Sequence, residues 1–143
     1  MFEYNCKVIK VVDGDTVDVD IDLGFGVWLK KQRVRLYGID TPESRTKDLE
    51  EKKCGLLAKD YLVNSLGEEA VLRTRKDGKG KYGRILGEFI VYDSLKDAYR
   101  PVNEIMIENK LGVRYFVQSK DDIAQEHITN REYLYETGKI TRD

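Results

Sequence analysis

Three short stretches of this chain carry residue types whose spacing suits phosphate chemistry. The first is Asp13-Gly14-Asp15-Thr16, two carboxylates around a turn glycine, a donor set that suits a hard, oxygen-ligated cation. The second runs from Arg35 through Asp40-Thr41-Pro42-Glu43. There a strand delivers an arginine and stops at Asp40, Pro42 stiffens the exit, and Glu43 follows three residues after Asp40, so both carboxylates can sit at one strand end. The third is Lys79-Gly80-Lys81-Tyr82-Gly83-Arg84, in which glycines let backbone approach a ligand, Lys81 and Arg84 offer phosphate contacts, and Tyr82 offers a stacking face. Each stretch has a plainer reading when taken alone: a hairpin turn, a solvated strand end with a proline turn, a flexible basic loop. Together they supply the requirements of metal-assisted phosphodiester cleavage. These are anchored carboxylates for a cation, a group to activate or orient water, and cationic donors for the equatorial oxygens.

Other chemistries find little support. Gly78-x-Gly80-x-x-Gly83 matches the dinucleotide-binding expression, but a strand pattern follows it, so the helix N-terminus that holds a pyrophosphate is missing. Asp18-x-Asp20-x-Asp22 resembles the start of a calcium loop, yet Leu23 stands where that loop needs glycine and Leu29 where it needs glutamate. His127 is the only histidine and has no triad context, which nearly excludes Ser-His hydrolase chemistry. It reads as a surface helix residue.

The elements that must position these residues follow from periodicity. Cys6–Val12 is β-rich and ends at the Asp13-Gly14 turn. In Thr16–Leu23, Val17, Val19, Ile21 and Leu23 alternate with Asp18, Asp20 and Asp22, which predicts a half-buried strand with its acidic face in solvent. Gly24 and Gly26 open a loop around Phe25 and Trp28, and Gln32–Ile39 is a third strand broken near Gly38 and Pro42. Leu49–Leu66 carries apolar residues at helical spacing, with Gly67 as its stop. A short strand over Ala70–Thr74, a Gly- and Lys-rich turn over Arg75–Gly83 and a strand over Ile85–Tyr92 come next. Helices over Val102–Asn109 and Asp121–Thr137 close the chain, the latter capped by Asp121 or Asp122. Five short strands with a helix between the third and fourth is the element order of an OB-fold barrel.

Composition sets the bounds. The 143 residues, 36% of them charged, fit one soluble globular domain spanning 1–143. The formal net charge of −1 excludes a globally basic nucleic-acid binder, so any such site is local; from Arg73 to Arg84 six Lys/Arg face one Asp. Cys6 and Cys54 read as free thiols without zinc-ligand spacing. No stretch approaches the roughly 18 apolar residues of a membrane span, and the N-terminus has no signal-peptide pattern. A cytoplasmic protein with no membrane partner and no obligate protein partner is expected.

The three motifs, in this order and at this spacing, resemble the signature blocks of the staphylococcal nuclease (thermonuclease) family, and Val102-Asn103-Glu104 resembles the opening of its second helix. The similarity is strongest over residues 6–116. It implies an α+β fold, a five-stranded Greek-key OB-fold barrel with about three helices, and one Ca²⁺. By motif match, Asp15, Asp40 and the backbone carbonyl of Thr41 would hold the ion, with Asp13 behind them. Glu43 would act as general base or orient water, and Arg35 and Arg84 would clamp the scissile phosphate. Lys81, Tyr82 and, more loosely, Tyr115 would contact the substrate. The expected activity is cleavage of DNA and/or RNA, preferably single-stranded and with little sequence preference, leaving 3′-phosphate and 5′-hydroxyl ends. The competing readings are a non-catalytic nucleic-acid-binding or interaction module of the same fold, and a phosphodiesterase for small nucleotides.

Overall fold

The computed structural model describes residues 2–79, 84–116 and 120–142. The chain runs β1 (Glu3–Asp13), β2 (Thr16–Gly24), β3 (Val27–Leu36), β4 (Ile39–Asp40), α1 (Leu49–Ser65), β5 (Glu69–Lys79), β6 (Ile85–Asp93), β7 (Ala98–Pro101), α2 (Val102–Glu108), β8 (Val113–Arg114) and α3 (Lys120–Glu136).

β1, β2 and β3 form an antiparallel meander, β5 pairs antiparallel with β1, and β6 pairs antiparallel with β5. The sheet closes where β3 and β6 meet in parallel, through Val34↔Ile85, Arg35↔Leu86 and Leu36↔Gly87. A closed five-stranded barrel with three helices results, as the element order predicts for an OB-fold. Closure removes the free edges of β3 and β6, and it sets Arg35 beside the first residues of β6.

The barrel interior follows the predicted alternation. Val17, Val19 and Ile21 of β2 are buried with Val34, Leu36, Leu72 and Phe89. α1 adds Ala58 and Leu62, and α2 adds Val102 and Met106. Asp48 caps α1, its carboxylate accepting from the backbone N–H of Glu50 and Glu51 at 3.1 and 3.2 Å. Both cysteines are buried and free. Among the described residues no helix is long and apolar enough to cross a membrane.

Several local expectations change. The Gly24–Gly26 loop shrinks to a tight hairpin turn, and Trp28 lies within β3 with the ammonium groups of Lys7 and Lys30 at 5.0 and 5.6 Å from its ring centroid. β5 runs on to Lys79, through the first part of the predicted basic turn, because pairing to β6 continues to Lys79↔Ile85. The acidic face of β2 is only partly in solvent. Asp20 is buried and accepts from the Lys31 backbone N–H at 2.8 Å and from Lys30 Nζ at 3.3 Å. Asp18 takes the Arg33 guanidinium at 2.8 and 3.1 Å. Leu23, expected inside, is exposed near the hairpin tip. β7 and β8 carry no local strand pattern; both are short pairings whose existence depends on a partner strand.

Candidate active site

The Asp13–Thr16 turn, the end of β3, β4 and the start of α1 converge at one end of the barrel. Asp15 sits at the hub. Its backbone carbonyl accepts from the Leu36 N–H at 2.9 Å, tying the turn to β3. Its carboxylate accepts from Thr16 Oγ1 at 3.0 Å and from the Thr41 N–H at 3.1 Å, tying it to the segment after β4. Asp13 accepts from the Ser44 N–H at 3.3 Å. Two carboxylates from one turn thus hold the backbone on either side of Pro42 and Glu43.

Gly14 allows this approach. A Cβ there would lie 2.8 Å from both the Ala58 Cβ and the Thr41 Oγ1. Gly55 on α1 is tighter still, since a Cβ would stand 2.3 Å from the Glu43 carbonyl oxygen. The helix therefore lies directly on the Glu43–Ser44 backbone, and Glu51 one turn earlier accepts from the Glu43 N–H at 3.0 Å. Asn103, flagged in the sequence at the start of α2, is buried and donates to the Tyr37 carbonyl at 2.7 Å, which fixes the bend between β3 and β4.

Arg35 lies between the two predicted ion ligands, its Nη2 at 3.6 Å from Asp15 Oδ2 and 3.7 Å from Asp40 Oδ1. Its Nη1 donates to the Leu36 carbonyl at 2.8 Å, which locks the guanidinium plane. Asp13, Asp15, Arg35, Asp40, Glu43, Arg84 and Tyr115 all line one cleft of about 840 Å³. Thr41 is buried beside it. Every predicted catalytic and ion-holding residue is thus brought to one place. Lys81 and Tyr82 lie outside the described residues. Along the cleft wall Tyr37 packs on Phe116 with ring centroids 5.4 Å apart, and the Arg75 guanidinium covers Tyr37 at 4.2 Å.

The charges are unevenly matched. Partial burial and the neighbouring carboxylates of Asp13 and Asp15 push the Glu43 carboxyl above the usual glutamate range. Burial also pushes Asp40 upward, but hydrogen bonds from His127 and Lys120 outweigh it and hold that carboxyl below its usual range. His127 is consequently no surface residue. Its Nε2 stands 2.9 Å from Asp40 Oδ2, and its side chain is only 19% exposed. Lys120 pairs with the other Asp40 oxygen and lies over the Tyr115 ring at 4.9 Å. A seven-residue step on α3 puts Lys120 and His127 on one helix face, about two turns apart. That spacing is visible in the sequence, whereas their common target, 80 and 87 residues away, is not.

The donor set fits a hard divalent ion. Asp15 and Asp40 meet at one guanidinium nitrogen, and Thr41, next after Asp40, carries a buried Oγ1 with no hydrogen-bond partner among the described residues. Among the described residues no three His, Cys, Asp or Glu side chains converge to enclose an ion. An ion here would therefore complete its coordination with the Thr41 carbonyl, water or substrate phosphate.

Comparison with known proteins agrees with this geometry. The sequence profile described as staphylococcal nuclease homologue matches residues 33–136. The chain is 38% identical over 135 residues to a thermonuclease of Staphylococcus hyicus, covering 94% of this chain and 66% of that protein. It is 28% identical over 135 residues to a micrococcal nuclease of Shigella flexneri, covering 91% of this chain and 69% of that protein. Over 127 residues it is 28% identical to endonuclease YhcR of Bacillus subtilis, covering 84% of this chain but 10% of that much longer protein. On the profile match and the breadth of these similarities, the chain belongs to the staphylococcal nuclease homologue family.

Proposed function

We propose that this protein is a nuclease that hydrolyses phosphodiester bonds of DNA and/or RNA with little sequence preference, preferring single strands and leaving 3′-phosphate and 5′-hydroxyl ends. The observation that carries the reading is the convergence of Arg35, Arg84 and Glu43 on the cleft that also holds Asp15 and Asp40. The names of the related thermonuclease and micrococcal nuclease support it.

In this reading Asp15, Asp40 and the Thr41 carbonyl would hold one Ca²⁺, and Asp13 braces the Ser44 backbone behind them. The bound ion supplies Lewis-acid polarisation of the scissile phosphate. Glu43 accepts a proton from the attacking water or orients it, and the water oxygen forms the new bond to phosphorus. The bond from phosphorus to the 5′ oxygen breaks, and that oxygen takes up a proton to leave as a hydroxyl. Arg35 and Arg84 stabilise the charge that builds on the equatorial oxygens, Arg35 from a guanidinium already held by the Leu36 carbonyl. Tyr115 and the exposed Phe116 offer rings to unpaired bases along the wall.

The test incubates the pure protein with single- and double-stranded DNA and RNA, in Ca²⁺ or in chelator after metal stripping. Cleavage that requires Ca²⁺, is faster on single strands and yields 3′-phosphate ends is the expected result. Full cleavage in chelator overturns the ion assignment. Binding to nucleic acid without cleavage would make the chain a non-catalytic module of this fold.

A further inference from the structure

α3 lays two side chains on a single carboxylate. Lys120 Nζ donates to Asp40 Oδ1, and the His127 ring nitrogen stands 2.9 Å from Oδ2. Arg35 Nη2 lies 3.7 Å from the same Oδ1. Each oxygen of Asp40 thus has a partner on α3, and an ion approaching Oδ1 meets the Lys120 ammonium there as a competing charge.

The two α3 contacts differ in kind. The Lys120 side chain is 65% exposed, a flexible stem ending in a well-hydrated ammonium, and pairs of that type are held weakly. The His127 ring is largely buried, against a carboxylate that is itself 11% exposed. Behind the pair lies a second cavity of about 410 Å³ between α1 and α3. It shares Asp40, Glu43 and Lys120 with the catalytic cleft, so the Asp40–Lys120 pair stands on the boundary of both spaces.

We propose that Lys120 is a built-in competitor for the ion, occupying Asp40 Oδ1 in the ion-free chain, and that His127 is a positioning residue that fixes the carboxylate through Oδ2 so that Oδ1 faces the cleft. This inference rests on the assignment of Asp40 as an ion ligand. Ion binding frees the Lys120 ammonium at the cleft wall beside Tyr115, where a substrate phosphate can take it. The ion and the polyanion then favour each other's binding.

The test is ion affinity of the full chain without nucleic acid, read by Tb³⁺ luminescence and its displacement by Ca²⁺. Lys120→Met removes the competitor and a nearby positive charge, so affinity should rise about three- to tenfold, while Lys120→Arg should stay within about twofold of wild type. His127→Ala should weaken ion binding, and Asp40→Ala should abolish it. Lys120 is exposed, so Lys120→Met should fold, which a thermal melt checks. A purely structural lysine would lower the melting temperature on removal without tightening ion binding. Unchanged or weaker affinity in Lys120→Met, with wild type binding and Asp40→Ala not binding, overturns the inference and leaves the nuclease reading standing. No ion binding by wild type, or undiminished binding by Asp40→Ala, overturns the ion assignment and the inference with it.

Discussion

Glu43 lines the cleft with a carboxyl pushed above its usual range, by desolvation first and then by Asp13, Asp15 and Glu51. Its protonated form is therefore favoured in the folded state. The stability this contributes is fully present below the ordinary glutamate pKa of about 4.3 and is lost as pH rises through the raised value. At neutral pH the ionised group is a cost, so Glu43→Gln should melt higher than wild type at pH 7 and no higher below about pH 4. The same substitution should nearly abolish turnover, because the ionised carboxylate is the form that can take a proton. In wild type, kcat/KM should rise with pH through the raised value, and a pH–rate profile that is flat down to the ordinary glutamate range would remove Glu43 from that role. Arg35→Lys keeps the charge but loses the fork that spans Asp15, Asp40 and the Leu36 carbonyl. A fall in kcat of about 10²-fold or more is expected, and a change confined to KM would show that the arginine only binds substrate.

At the scale of elements, α1 positions Glu43 by contact with backbone. Gly55 leaves no room for a methyl group, since its Cβ would meet the Glu43 carbonyl carbon and oxygen and the Ser44 nitrogen, all within 2.6 Å. Gly55→Ala must push the helix and the 43–44 segment apart, at about 1–3 kcal/mol or more. Because the segment carries Glu43, kcat should fall along with the melting temperature. Gly67→Ala is the control: its Cβ would meet only the Glu69 carbonyl oxygen, at 3.8 Å, an ordinary contact. Turnover by Gly55→Ala equal to that of Gly67→Ala would show that α1 does not hold the catalytic segment in register.

For the whole molecule, near-neutral charge is matched by local pairing. Lys30 is committed to Asp20, Arg33 to Asp18, Arg73 to Glu3 and Arg75 to Glu88, so much of the positive charge on β3 and β5 already has a partner. A single strand should therefore displace few counterions. Binding to Glu43→Gln protein at constant Ca²⁺ should show a log–log salt slope of about −1.5 to −3, equivalent to about two to four phosphates. A slope steeper than about −5 would reveal an extended basic track.

Much was legible in the sequence because it is local. The order and spacing of the three motifs named the family and, among the described residues, Asp13, Asp15, Arg35, Asp40, Glu43 and Arg84 of the cleft; alternation along Thr16–Leu23 located β2, and that along Gln32–Ile39 the second half of β3. Helical spacing found α1, α2 and α3 to within a residue or two at each end. What tertiary structure decided involves partners far apart along the chain. Period-two alternation assigns Asp20 to solvent, but the β2–β3 pairing brings the Lys31 N–H and the Lys30 ammonium to it, and a paired carboxylate can be buried. Gly55 reads as an indifferent helix residue until the 43–44 backbone lies on it. His127, without any motif around it, becomes part of the site because α3 returns across the end of the barrel to Asp40. Local pattern records which face of an element is apolar; which distant side chain meets a buried carboxylate is set only when the elements dock.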